Sequence, residues 1–159
     1  MKKAGMNEKR STKFGLKTPV GRLAIEVEGE TVIGVELSGR CQRAPGTVFE
    51  KEVARQFKEY FLGKRKEFSL PLMVQGSSFC QDVLKELWAL DFGEVISYQD
   101  LALRVRKPKA ARAVARIMAR NRLPILLPCH RIVQSTGALG GYGGGSRMKK
   151  ALLQHEHAL

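Results

Sequence analysis

The chain has 159 residues, 43% of them hydrophobic, and carries a formal net charge of +13. This length supports one compact domain or two small ones, and the hydrophobic share excludes a disordered chain. Three cysteines without a CxxC pair indicate neither a disulfide framework nor a zinc site, and their odd number is typical of a reducing compartment.

The N-terminus and the apolar segments bear on cellular location. Met1, Lys2 and Lys3 are followed by polar and charged residues rather than by an apolar signal segment, and no stretch approaches the ~20 apolar residues of a membrane span. We therefore expect a cytoplasmic protein that is neither secreted nor inserted into a membrane.

The first 75 residues have the pattern of a small domain of strands and one helix. Apolar residues alternate on both sides of a turn at residues 28–30, which predicts that a β-hairpin over residues 18–37 opens the fold. Residues 47–62 have helical spacing, and residues 64–76 predict an edge strand followed by a linker. We place a domain boundary between residues 75 and 76.

Residues 76–159 change to a helical pattern. Ser78 and Gln81 resemble a capping box, and the apolar stripe of the helix they begin includes Trp88, which we expect in the core. Ser97 with Asp100 predicts the start of a second helix, which stops before Pro108.

A third predicted helix, residues 109–120, has two different faces. Its apolar side holds Val114 and Met118, while a row of arginines stands on another side at spacings of four residues. Two short helices joined by a proline-containing turn, the second presenting basic residues, are typical of a helix-turn-helix. The arginines of the row are Arg112, Arg116 and Arg120.

The following segments connect to the C-terminus. Asn121 ends the third helix, where its amide can bond to nearby backbone, and LPILLP (residues 123–128) is too short and too rich in proline for another helix. Residues 135–146 contain six glycines around Tyr142 and lack the ending of a phosphate-binding loop, so a mobile turn is predicted. Residues 148–157 predict a last helix that carries Glu156.

Cys129 stands out among the three cysteines because His130 and Arg131 follow it. Neighbouring cations favour a thiolate, and we expect a lowered pKa and a nucleophile at this position. The alternative is a packed, inert thiol, which we assign to Cys41 and Cys80. A thiolate nucleophile could serve a hydrolase, a redox sensor or a group acceptor.

The distribution of charge favours one of these uses. Residues 101–150 contain 12 Lys or Arg and no Asp or Glu. A solvated surface is the ordinary explanation of a basic segment, but the absence of acid favours a polyanion, nucleic acid before an anionic membrane. A reactive sulfur beside a helix-turn-helix suits chemistry on a nucleobase, which must first be turned out of the duplex.

Several motifs together resemble the O6-alkylguanine-DNA alkyltransferases, also called methylated-DNA–protein-cysteine methyltransferases. The resemblance is dense from about residue 78 to residue 156, and before that it covers only TPVGRLAIEV and its hairpin. The motifs are FGEVISYQDLA (92–102), KAARAV (109–114), PCHRIV (128–133), GALGGYGGG (137–145) and LLQHE (152–156).

The resemblance implies an α/β protein with a small ribonuclease-H-like N-terminal domain and a mostly helical C-terminal domain of winged-helix type. It implies irreversible, stoichiometric transfer of an alkyl group from guanine O6 in duplex DNA to Cys129, with base flipping. No cofactor and no metal are implied, and we expect a monomer that binds double-stranded DNA and no membrane.

The resemblance also implies roles for individual residues. His130 would act through a water as the base for Cys129, oriented by Glu156, while Asn121 would brace the thiol and Tyr98 would donate towards guanine N3. Arg131 is expected to be structural, and His155 and His157 are left as surface residues. Arg112 would replace the extruded nucleotide, with Ala111, Ala113, Arg116 and Arg120 also at the DNA, and the pocket would be lined by Tyr142, Gly143, Ile132 and Met118.

Two other functions remain open on the residues alone. A DNA-binding regulator would use the same helix-turn-helix with Cys129 as a packed thiol. A cysteine hydrolase would use Cys129, His130 and Glu156 for multiple turnovers without any dependence on DNA.

Overall fold

The computed structural model describes residues 10–159 of the chain. In that range it is a mixed α/β structure with a three-stranded antiparallel sheet, a two-stranded parallel pair and five α-helices. None of the helices in this range is long and apolar enough to cross a membrane. The polar residues 1–9, on which the prediction about secretion partly rests, lie outside the described residues.

The antiparallel sheet has the order β1 (Ser11–Thr18), β2 (Gly21–Glu28) and β3 (Thr31–Leu37). The predicted hairpin is confirmed as β2 and β3, but it does not open the fold, because β1 precedes it. In β1 only Phe14 and Leu16 alternate among polar residues, so the local pattern is weak. Pairing with β2, opposite Ile25 and Leu23, makes this segment a strand.

The predicted first helix is confirmed as α1 (Val48–Phe61), which begins with a capping box between Thr47 and Glu50. Val53, Phe57 and Tyr60 are buried along one side of it. The predicted edge strand that follows is reduced to a single bridge between Leu72 and Val32.

The prediction for α2 (Ser78–Trp88) is corrected in two respects. Its N-cap is Ser77, whose side chain accepts a hydrogen bond from the Cys80 amide, so the predicted capping box of Ser78 and Gln81 is wrong by one residue. Trp88 is 45% exposed and not in the core, whereas Val83 and Leu87 are fully buried. The buried stripe is centred on those two residues, and Trp88 lies at its edge.

The predicted pair of helices is present as α3 (Tyr98–Arg104) and α4 (Ala111–Ala119), which pack against each other. The predicted start of α3 is confirmed: Ser97 is its N-cap and forms a capping box with Asp100. Val114 and Met118 of α4 are buried, and the three arginines of the row are exposed. The arginine face is therefore presented outward.

The remaining elements place two separate segments of the C-terminal half side by side. Strand β4 (Ile96–Ser97) pairs in parallel with β5 (Ile132–Val133), which directly follows a short 3-10 turn, Cys129–Arg131. The final helix, α5 (Ser146–His155), is the one predicted from residue 148 onward. The β4–β5 pair sets the start of α3 beside the segment that contains Cys129.

One buried hydrophobic cluster contains residues from both sides of the predicted domain boundary, including Phe14, Phe57, Leu101 and Leu152. The boundary itself lies in the irregular segment between α1 and α2. In addition, the Val35 amide of β3 donates a 2.8 Å hydrogen bond to the carbonyl of Arg122. These contacts join the sheet to the C-terminal half.

The N-cap of α2 can be tested with two neighbouring serines. We expect Ser77→Ala to lower the free energy of unfolding by about 1 kcal/mol, because it removes the acceptor for the Cys80 amide. Ser78→Ala, the matched control, should change it by less than about 0.5 kcal/mol. Urea unfolding measures both, and an equal loss from the two variants would contradict the assignment of the cap.

Candidate active site

Cys129 is held in the interior at the start of the 3-10 turn. It is 7% exposed, whereas Cys41 and Cys80 are half-buried rather than packed completely as expected. Pro128 precedes it in a buried segment, residues 123–128. The fold therefore treats this thiol differently from the other two.

The expected thiolate is not supported by the surroundings of Cys129. Burial raises the pKa of the Cys129 thiol, and a hydrogen bond from the Asn121 side chain and the charge of Lys149 offset only part of that rise. Removing a thiolate from water costs more than these partners return. Cys129 is therefore a protonated thiol at neutral pH, and a base must remove its proton before it can attack.

Asn121 braces the turn that leads to this thiol. Its side-chain amide donates to the carbonyl of Leu127 at 2.9 Å, and its side-chain oxygen accepts from the Leu123 amide at 2.9 Å. Inside the turn, Ile125 has φ +74°, a conformation that is costly for a β-branched residue. The asparagine holds a strained loop closed.

His130 follows Cys129 and is completely buried. Its Nε2 lies 2.9 Å from Glu156 Oε1. Burial lowers the pKa of His130, against the opposing effect of the Glu156 charge, so the ring is neutral. A carboxylate can only accept, so Nε2 carries the proton and Nδ1 is the acceptor. Nδ1 is buried and hydrogen bonds to no group of residues 10–159.

Glu156 is fixed by several donors in addition to His130. Arg131 binds both of its oxygens, with Nε and Nη2 each at 2.8 Å, and the Tyr60 hydroxyl donates to Oε1 at 2.6 Å. Burial alone would raise the pKa of Glu156, but hydrogen bonds from Arg131 and His130 hold it far below its ordinary value. The structural role expected for Arg131 is confirmed by these contacts and by its bond to the carbonyl of Leu90.

Two phenols lie close enough to Cys129 for the charge of its thiolate to act on them. Burial, and then the charge of Cys129, raises the pKa of both Tyr98 and Tyr142. Gly140, at φ +74°, lies against Tyr98, because a Cβ there would stand 3.3 Å from its hydroxyl. The glycine-rich segment therefore contacts Tyr98 at Gly140.

Sequence reasoning missed Lys149, which is completely buried beneath this segment. Its Nζ donates to the carbonyl of Ile132 at 2.6 Å and to that of Gly141 at 3.4 Å. Burial lowers its pKa. It also missed the inward position of His155, whose Nε2 lies 2.7 Å from the Tyr60 carbonyl, although His157 is exposed as expected.

The remaining candidates separate into an outer and an inner group. Arg112, Arg116 and Arg120 project from α4 into solvent, with Ala111 and Ala113 half-buried beside them. Gly143 is exposed on the glycine-rich segment. Ile132 and Met118 are buried. The structure thus brings together Cys129, His130, Glu156, Asn121, Tyr98 and Tyr142, and it leaves the arginine row on a separate outer face.

Comparison with known proteins identifies the family. Residues 78–158 match the family model described as 6-O-methylguanine DNA methyltransferase, DNA binding domain. The methylated-DNA–protein-cysteine methyltransferase of Haemophilus influenzae is 38% identical over 148 residues, which are 87% of this chain and 82% of that protein. The chain belongs to the methylated-DNA–protein-cysteine methyltransferase family.

Other members of the methyltransferase family are similar to this chain over comparable lengths. The constitutive enzyme of Bacillus subtilis is 39% identical over 147 residues, 86% of this chain and 89% of that protein. The crystal structure of a Mycobacterium tuberculosis O6-methylguanine methyltransferase has a TM-score of 0.83 and 31% identity, and covers 92% of this chain and 93% of that one. A crystal structure of the Mycobacterium tuberculosis protein in complex with DNA has a TM-score of 0.80 against this chain. The chain is accordingly an enzyme of the methyltransferase class with a DNA-binding domain.

The bracing by Asn121 can be tested in this methyltransferase by stability. We expect Asn121→Ala to lower the free energy of unfolding by about 2 kcal/mol, because the Leu123 amide loses its acceptor and the Leu127 carbonyl keeps only the Cys129 amide as a donor. Gln134→Ala removes the amide of an exposed side chain and is the control, with an expected change below about 0.5 kcal/mol. Chemical unfolding of both variants measures the difference, and a loss at Asn121 no larger than the control would contradict the bracing.

Proposed function

We propose that the protein repairs DNA by taking an alkyl group, a methyl group in the simplest case, from O6 of guanine onto Cys129. The observation that carries the proposal is the buried row of Cys129, His130 and Glu156, in which Nδ1 of a neutral imidazole is free to accept a proton. Membership of the methyltransferase family supports the same reaction.

The chemistry follows from the protonation states. His130 Nδ1 takes the proton of the Cys129 thiol, through a bridging water, and the ionised Glu156 stabilises the imidazolium. The sulfur then attacks the methyl carbon, so that an S–C bond forms while the bond from that carbon to O6 breaks. The electron pair stays on the guanine, which leaves as an anion stabilised by a hydrogen bond that the Tyr98 hydroxyl donates to N3, and the proton taken up by His130 can then neutralise it.

The pocket would read the base through groups around the thiol. The carbonyls of Cys129 and Ile132 would accept from the exocyclic amine, and each already accepts one hydrogen bond, from the Ile132 amide and from Lys149. A second lone pair remains on each oxygen. Tyr142 would form a wall of the pocket, together with Met118, and the amide of Gly143 would approach O6.

The guanine must leave the stack of duplex DNA to reach a buried sulfur. In this proposal α4 enters a groove, Arg112 stacks in place of the extruded base, and Ala111 and Ala113 allow close approach. Arg116 and Arg120 would neutralise phosphates. The protein binds as a monomer, so one site meets one lesion.

The product explains why the protein is used once. A thioether is a poor leaving group, and the groups around Cys129 are arranged to accept the thiol proton rather than to deliver a hydrolytic water to carbon. We therefore propose a stoichiometric reagent, with no cofactor and no metal. Within residues 10–159, no group of three or more His, Cys, Asp or Glu is placed to hold a metal ion.

The decisive experiment is intact-mass analysis after incubation with duplex DNA containing O6-methylguanine. We expect a single added methyl group per protein, located on Cys129 by peptide mapping, and a plateau at one lesion repaired per molecule. Cys129→Ala should abolish the mass shift and still bind the duplex, because the exposed arginines are unchanged. Cys80→Ala is the matched thiol control and should react normally.

The alternatives give different results in the same assay. A DNA-binding regulator would bind the duplex without gaining mass, and a cysteine hydrolase would turn over repeatedly on esters or amides without DNA. A methyl group on Cys41 or Cys80 would show that the acceptor is assigned to the wrong residue.

The role of Arg112 in base extrusion can be separated from the chemistry. We expect Arg112→Ala to slow repair of duplex DNA by about tenfold or more, while its reaction with free O6-benzylguanine changes by less than about twofold, since a free base needs no extrusion. Single-turnover rates measure both, with Arg116→Ala as a charge-matched control. Equal losses on the two substrates would remove the extrusion role.

A further inference from the structure

Tyr60 connects the N-terminal part of the chain to the candidate catalytic carboxylate. It lies near the end of α1 and is 1% exposed, and its hydroxyl donates a 2.6 Å hydrogen bond to Glu156 Oε1. This is the same oxygen that accepts from His130 Nε2 at 2.9 Å. Tyr60 and Glu156 are 96 positions apart in the sequence.

The groups packed around Tyr60 restrict the orientation of its hydroxyl. The Tyr60 ring stacks edge-on against Phe92 and His155 and lies 5.2 Å from the ring of Phe68. Its backbone carbonyl lies 2.7 Å from His155 Nε2, one residue before Glu156. Both the ring and the main chain of Tyr60 therefore fix the end of α5, where the carboxylate stands.

We propose that Tyr60 is a positioning residue of the reaction: it holds Glu156 Oε1 where that atom receives His130 Nε2, so that the N-terminal part of the chain takes part in activating Cys129. The proposal rests on the proposed function, in which His130 is the base. It assigns to α1 a task beyond packing against the sheet.

The charged groups around this pair decide the sign of the effect. Besides each other, the charged groups that act on this pair are Arg131, on both residues, and Lys149, on His130, and the Tyr60 hydroxyl donates a hydrogen bond to Glu156. Without the tyrosine donor, Glu156 would share its charge with fewer partners and attract the imidazolium of His130 more strongly. The pKa of His130 would then rise from its lowered value, and the base would become protonated at a higher pH.

The test compares Tyr60→Phe with the wild-type protein, because phenylalanine keeps the aromatic packing and removes only the hydroxyl. In the wild type we expect a single-turnover rate that is nearly constant between about pH 7 and 8.5, since His130 is neutral there and the thiol is still protonated. In Tyr60→Phe we expect the plateau rate to fall about fivefold, the effect of one hydrogen bond. The acid limb of the profile should move to higher pH by about half a unit to one unit.

A second measurement does not depend on methyl transfer. Nitrogen NMR of the His130 ring reports its tautomer and its titration without any DNA, and we expect the same upward movement in Tyr60→Phe. Phe57→Leu is the control, since Phe57 is buried in the same helix but has no polar group that could bond to Glu156. It should lower stability and leave both the pH profile and the ring titration unchanged.

The outcomes separate the two proposals. If the wild type transfers methyl groups and Tyr60→Phe matches it in rate profile and ring titration, Tyr60 has no positioning role. The same conclusion holds if Phe57→Leu reproduces the changes. If the ring titration moves as expected but neither protein gains a methyl group, the positioning of His130 stands and the proposed repair function is wrong.

Discussion

The candidate site depends on one buried carboxylate. Glu156 is 2% exposed, and an ionised carboxylate removed from water is stable only when donors surround it. Those donors come from α1, from the turn that begins at Cys129 and, more weakly at 3.4 Å, from the Gly93 amide. The ionised carboxylate is therefore stable in the interior only where α1 and the C-terminal half close around it, and its position fixes the proton of the neutral His130 ring on Nε2.

Local patterns were sufficient for the elements that depend on neighbouring residues. The helix start at Ser97, the buried and exposed faces of α4 and the hairpin of β2 and β3 could all be predicted, because each is specified within a few residues. Strand β1 could not, since partners in β2 make it a strand. Trp88 shows a related limit: a helical stripe predicts which side is apolar, but not where the partner surface ends.

The site residues also divide into those that local sequence indicates and those that only the folded chain reveals. Cys129 and His130 lie in one motif, and Asn121, at a predicted helix end, lies within ten positions of them, so local sequence could indicate all three. Tyr60 and Lys149 carry no local signal, because a tyrosine in an amphipathic helix and a lysine in a basic segment are ordinary. Only the folded chain shows that the first bonds to Glu156 and that the second is buried against the carbonyl of Ile132.

The prediction of a lowered pKa for the Cys129 thiol is wrong for a general reason. A count of cations along the sequence treats all of them alike, yet ten of the 12 basic residues in positions 101–150 are exposed and two, Arg131 and Lys149, are buried. The exposed ones are screened by water and favour a polyanion at the surface. Of the buried pair, Arg131 is neutralised by Glu156, so Lys149 alone acts on Cys129, and it does not outweigh the cost of burying a thiolate. The buried Cys129 thiol is therefore protonated, and its reactivity depends on a neighbouring proton acceptor, for which His130 Nδ1 is available.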